Sequence, residues 1–212
     1  MTTVRIHPVA AAAICAALWI AAVPPAPGGS RAAAAVTANG DARAWHEVLA
    51  AFGKLNRLRG YRIKVEAASG TMVVDVMPRR NAMHSTMQSQ GMDAEVIVVG
   101  SQSRSRLTAP GVSGAWACQG IPPLPKASDF LGADGTVDVA RAPDTTIDGE
   151  AVRVYRVAAS GSFGEIKSTV FVGAANGLPR RAVMTSDAGE QTLAYYDYGA
   201  PIEITLPPCG NS

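Results

Sequence analysis

From Tyr61 onward the chain is a succession of short segments in which apolar and polar residues alternate. Tyr61, Ile63 and Val65 alternate with Arg62, Lys64 and Glu66, which is the period of a half-buried strand. Further candidate strands are 72–77, 82–88, 95–99, 103–108, 137–139, 151–158, 166–172, 180–185, 191–198 and 202–206. Gly, Pro, Asn or Asp separates them, as antiparallel turns require, and Asn176-Gly177 and Ala188-Gly189 mark hairpins. One helical pattern precedes them. Asp41 stands before Ala44, Trp45, Val48, Leu49, Phe52 and Leu55, whose spacing of three and four makes a single buried stripe, with Gly60 as its stop. Residues 36–40 read as a linker. Residues 109–129 carry Pro110, Gly111, Gly114, Gly120, Pro122, Pro123 and Pro125 and read as a long loop, with a short helix at 128–131. About eleven antiparallel strands must close into a barrel or curl around something. The expected fold is mostly β (α+β): a curved antiparallel half-barrel of about 11 strands, its concave face covered by the N-terminal helix and the loop.

The first residues belong to a different pattern. Arg5 precedes a 15-residue apolar run from Val9 to Val23; Pro24, Pro25, Pro27, Gly28 and Gly29 follow, then Ala32 to Ala35. A basic start, a short apolar core and an Ala-x-Ala exit make a signal peptide, and spanning a membrane takes about 20 apolar residues. Residues 1–35 are therefore expected to be cleaved, leaving 36–212 as one domain, periplasmic or secreted, with no stable membrane insertion. Cys15 follows Ile14, where a lipidation signal needs a small residue, so lipidation there is not expected.

Export changes the charge and cysteine arithmetic. Without Arg5 and Arg31 the remaining chain balances at 17 residues of each sign. A neutral domain without a basic stripe is a poor nucleic-acid binder. Cys118 and Cys209 remain, in an oxidising compartment, and allow one intramolecular pairing. Such a bridge would close a loop of about 90 residues, worth roughly 4–5 kcal/mol in the chain-entropy model. The alternative is two unpaired thiols. With no Cys-x-x-Cys pair, redox catalysis has no support.

The order of these elements, over roughly residues 41–208, resembles the LolA-like lipoprotein-carrier superfamily. After the helix, Leu58-Arg59-Gly60-Tyr61-Arg62-Ile63 enters the first strand. Val76-Met77-Pro78-Arg79-Arg80-Asn81-Ala82-Met83 is similar to the family's strand–turn–strand step around an Arg-Pro dipeptide. Arg79 matches the family's arginine, and the resemblance implies a contact with the lid; Arg80 stands where the proline is expected. Asn176-Gly177-Leu178-Pro179-Arg180 looks like a recurrent late hairpin turn. Tyr196-Asp197-Tyr198-Gly199 and Ile202-Glu203-Ile204-Thr205-Leu206-Pro207-Pro208 resemble the closing strand pair with its terminal prolines. The resemblance implies a half-barrel holding acyl chains or other lipids between sheet and lids, without catalysis. The 109–129 loop is shorter and richer in proline than a helical lid, and the cysteine pair is not a general family feature.

Strand parity assigns Ile63, Val65, Met72, Val74, Val76, Met83, Met87, Val96, Val98, Val170, Val172, Met184 and Tyr196 to an apolar face, part ligand cavity and part core. Methionine suits a cavity that must accept chains of varied shape. Trp116, beside Cys118, is either a cover for the cavity mouth or packing for the disulfide. Arg104 and Arg106 share a strand face, either solvated or meeting a lipid phosphate. Met72, Met77, Met83, His84, Met87 and Met92 together would suit Cu(I), but His84 alternates to the face opposite Met83 and Met87. No Gly-x-Ser-x-Gly, His-Glu-x-x-His or phosphate-binding glycine loop occurs. His46 reads as a helix-flank residue, and Asp148 and Glu150 as turn residues. The expectation is a non-enzyme without a cofactor or metal, which binds a lipid or an acylated protein in the cell envelope. The alternative is a protein-interaction or envelope-sensing module with a filled cavity and an envelope protein partner.

Overall fold

The computed structural model describes residues 37–89, 91–120, 136–161, 164–187 and 189–209. The expected signal peptide, the helix at 128–131 and the second half of the 109–129 loop lie outside the described residues. The strands are β1 (Thr37–Gly40), β2 (Tyr61–Ala67), β3 (Gly70–Met77), β4 (Ala82–Ser89), β5 (Met92–Val99), β6 (Gln102–Ala109), β7 (Val112–Ser113), β8 (Ala117–Gly120), β9 (Thr136–Ile147), β10 (Glu150–Gly161), β11 (Gly164–Gly173), β12 (Pro179–Ser186) and β13 (Gly189–Tyr196). The helix, α1, spans Ala42–Leu55.

All the strands belong to one sheet, in the order β1-β9-β10-β11-β12-β13-β2-β3-β4-β5-β6-β7, with β8 also on β6. The path is antiparallel from β9 to β13 and on through β2 to β6. Its two ends do not pair with each other, so the sheet is open rather than a closed barrel. The junction of β13 with β2 joins the late meander to the early one, with Tyr195 opposite Ile63 and Leu193 opposite Val65.

Four expectations about strands and loops are corrected. Residues 36–40 are not merely a linker, because Thr37–Gly40 pairs parallel to Thr136–Val139. The loop contains two short strands, β7 and β8, which finish the β6 edge. β9 runs 12 residues, far beyond Val137–Val139, into the tight turn Asp148-Gly149, where both residues have positive φ (50° and 78°). Residues 202–206 join no ladder; Pro201, Pro207 and Pro208 remove backbone donors around them.

Asp41 caps α1, its carboxylate accepting from the backbone N–H of Arg43 (3.0 Å) and Ala44 (3.1 Å). The helix buries Ala44, Val48, Ala51 and Leu55. Small residues at two of these positions let it lie close to the sheet, and Leu49 is turned outward. It ends at Asn56 rather than Gly60. Gly60 is instead needed where the chain crosses its own tail: a Cβ there would stand 3.1 Å from the Ala200 carbonyl oxygen and 3.2 Å from that of Val76.

Candidate ligand-binding face

The face of the sheet that carries α1 is the inner face. On it, β2 presents Tyr61, Ile63 and Val65, and β3 presents Met72, Val74 and Val76 directly opposite. The pairing continues through Met83, Ser85 and Met87 on β4 to Ala94, Val96 and Val98 on β5, and then to Ser103, Ser105 and Leu107 on β6. Beyond β13 the same face carries Met184, Ala182, Val170, Val172 and Tyr155.

Coverage divides this face in two. Under α1 the core is filled: Leu55, Tyr61, Tyr155, Ala182 and Leu193 have no exposed surface, and Phe52 meets the Tyr195 ring edge-on at 6.0 Å. Ile63, Val65, Met72, Val74, Val76, Val170, Val172 and Met184 belong to this packed cluster. Toward β6 the burial thins. Met83 and Met87 pack against the rim of the cluster, and Val96 and Val98 are half-buried. Met92 and Leu107 are 45% and 43% exposed. The predicted apolar residues therefore fall into a packed set and a partly open set on one continuous face.

The Tyr61 and Tyr195 hydroxyls are buried in the packed set without a hydrogen-bond partner among the described residues. Burial pushes both phenols up from the ordinary tyrosine range, with the neighbouring tyrosines adding to it. Tyr196 takes the other side of β13, opposite Arg62. Two tyrosines stand in succession, and the inward place belongs to Tyr195, in step with Leu193.

The back face has its own apolar cluster of Met77, Ala82, Ile97, Ile202 and Ile204, joined by Val99, Trp116, Ala200 and Leu206. The C-terminal segment thus lies across the back of β3 to β6. Cys209 is bonded to Cys118 on β8, and Arg104 donates to the Pro207 carbonyl at 3.3 Å. Trp116 is on this side, with the Arg106 guanidinium over its ring at 4.7 Å; it packs the strap rather than the inner face, because the parity of β8 is set by the pairing of Cys118 with Arg104. Glu95 receives Arg106 at 2.5 Å and bonds His84 at 2.7 Å. Burial raises its carboxyl, but the bonds from Arg106 and His84 outweigh this and hold it below the ordinary value. His84 is thus opposite in facing to Met83 and Met87, while Met77 lies on the back face, so the register splits the methionine–histidine group, as strand parity predicts.

At the other edge Glu47 of α1 gathers Arg43 (3.1 Å), Arg141 (3.4 Å), Arg153 (3.6 Å) and the Tyr155 hydroxyl. A recess of about 260 Å³ is lined here by Asp41, Arg43, Ala44, Glu47 and Arg141, its charges matched among themselves. His46 is exposed, and Glu150 pairs with Arg180 at 2.5 Å. Arg79 donates from Nη2 to the Arg57 carbonyl (2.5 Å), just past the end of α1. Among the described residues no helix is long and apolar enough to cross a membrane.

No protein-family model matches the sequence, and no curated protein matches it. Solved structures do. The Mycobacterium tuberculosis lipoprotein LppX superposes with a TM-score of 0.56 at 16% identity, covering 78% of this chain and all of its own. LprF from Mycobacterium bovis superposes at 0.51 with 13% identity, over 80% of this chain and 99% of its own. The open antiparallel sheet with one helix on its inner face thus shares its fold with LppX and LprF.

Proposed function

We propose that the protein is exported to the cell envelope and binds the apolar part of a lipid, or of an acylated protein, on the inner face of the sheet, without catalysis. The observation that carries this reading is the uneven cover of that face. Among the described residues, α1 packs over the β9–β13 and β2–β3 side, while Met83, Met87, Met92, Val96, Val98 and Leu107 extend the same apolar surface outward. A monomer rarely leaves a contiguous apolar strip open without a use for it. Each methylene laid on such a strip gains about 0.8 kcal/mol, so an acyl chain needs no polar anchor there. Three methionines among the lining residues would adapt to chains of different shape. The Cys118–Cys209 bond supports an oxidising compartment, as does the apolar N-terminal run.

The test is native mass spectrometry of the protein exported to a periplasm, followed by solvent extraction and lipid analysis. The expected result is a co-purified acyl species that denaturation releases and that Val96→Glu removes. A bare mass that added lipids leave unchanged would overturn the reading and favour a protein-interaction module.

A further inference from the structure

The two ends of the sheet carry opposite charge. The end where β2 begins and β3 finishes gathers Lys54, Arg57, Arg59, Arg79 and Arg80, all exposed. Arg79 Nη2 donates to the Arg57 carbonyl at 2.5 Å and Lys54 Nζ to the Asn176 carbonyl at 2.8 Å, so the end of α1, the α1–β2 connection and the β3–β4 and β11–β12 turns are drawn together. None of the five has an acidic partner among the described residues. The acids at that end include Glu150, paired with Arg180, Asp75 and Asp197, both paired with Arg62, Asp148 in the β9–β10 turn, and exposed Glu203 between Ile202 and Ile204. The opposite turns carry exposed Asp93, Asp187 and Glu190. The cationic end is therefore a local feature of a chain whose residues 36–212 balance in charge as a whole.

We propose that this end docks on an anionic phospholipid surface. The cations are long, flexible and spread over separate turns, which suits a field of phosphates rather than one shaped anion pocket. A protein interface is normally centred on exposed apolar residues. The exposed large apolar side chains among the described residues, Leu49, Met92 and Leu107, are not in these turns. The row of inner-face residues nearest this end is Tyr61, Val76, Met83 and Val98, so docking here would bring one end of the inner face to the membrane. The inference stands apart from the ligand reading, since it needs nothing to be bound on that face.

Co-sedimentation tests it, with the chain purified from a periplasm and vesicles of phosphatidylcholine alone or with one third phosphatidylglycerol. The expected result is binding to the anionic vesicles at low ionic strength and none to the neutral ones, with loss in high salt. Arg59→Gln with Arg80→Gln, two exposed positions without a side-chain partner among the described residues, should weaken partition at least about tenfold. Asp93→Asn with Asp187→Asn at the opposite end should leave it unchanged. Equal binding to neutral vesicles, equal binding by the arginine variant, or binding to an acidic peptide with none to vesicles would each overturn the proposal.

Discussion

Cys209 is bonded to Cys118 across a sequence separation of 91, with Cα atoms 5.8 Å apart, and this bond holds the C-terminal segment against the back of the sheet. The tether closes a long loop, so its removal releases substantial chain entropy to the unfolded state. Reduction, or Cys118→Ser, is expected to lower the free energy of unfolding by about 2–4 kcal/mol. Urea titrations with and without reductant measure this directly.

The strap also contributes through its own side chains. Ile202 and Ile204 are 5% and 6% exposed in the back-face cluster. Ile204→Ala is expected to cost roughly 2–4 kcal/mol in the oxidised protein. With Cys209→Ser in the same chain the combined loss should be smaller than the sum, because an untethered tail already spends time off the sheet. A double-mutant cycle reads that coupling.

Glu47 makes the helix–sheet contact sensitive to acid. The Tyr155 hydroxyl holds its carboxyl below the ordinary value of 4.5; burial opposes this, and Arg43 and Arg153 add to the lowering. Burial, with the hydroxyl donated to Glu47, pushes Tyr155 up to about 12. A carboxyl lowered in the folded state stabilises fully above its unfolded value, and this contribution is lost as pH falls through the folded value. Thermal melts between pH 6 and about 3 should therefore fall more steeply for the native chain than for Glu47→Gln. Tyr155→Phe is expected to cost about 1–3 kcal/mol near neutrality.

Gly60 stands where two parts of the backbone approach. A methyl there would meet the Ala200 carbonyl oxygen and Ile202 Cδ1 at 3.1 Å and the Val76 carbonyl oxygen at 3.2 Å. The Gly60 carbonyl accepts from the Gly199 N–H at 2.7 Å, which leaves this crossing little room to open. Gly60→Ala should destabilise by about 1–3 kcal/mol, visible as a lower denaturation midpoint at unchanged slope.

Leu193 and Leu107 are both inner-face leucines with different expected fates. Leu193 is fully buried and Leu107 is 43% exposed. Leu193→Ala should cost roughly 3–5 kcal/mol. Leu107→Ala should stay within about 0.5 kcal/mol while reducing the acyl species recovered with the protein. Comparable losses of stability would show that Leu107 serves the core instead.

Most strands were legible because alternation reports directly which side chains share a face. β2 and β3 follow the pattern residue by residue, and α1 follows its capped stripe. β9 was harder, since Ala140-Arg141-Ala142-Pro143 carries no alternation, although the Asp148-Gly149 turn after it is a strong hairpin signal. The tail misled in the other direction: Ile202 and Ile204 alternate as in a strand, but their flanking prolines leave them packed without a ladder.

The sequence by itself determined the helix, the succession of strands, the single cysteine pairing open to residues 36–212 and the set of apolar residues for the inner face. Only the tertiary structure decided which of them α1 covers, that Tyr195 rather than Tyr196 turns inward, and that Trp116 serves the back. It also brought Arg57 and Arg59 beside Arg79 and Arg80. The physical reason is that periodicity is a property of neighbouring residues, whereas cover and charge clustering depend on what packs across the face from elsewhere in the chain.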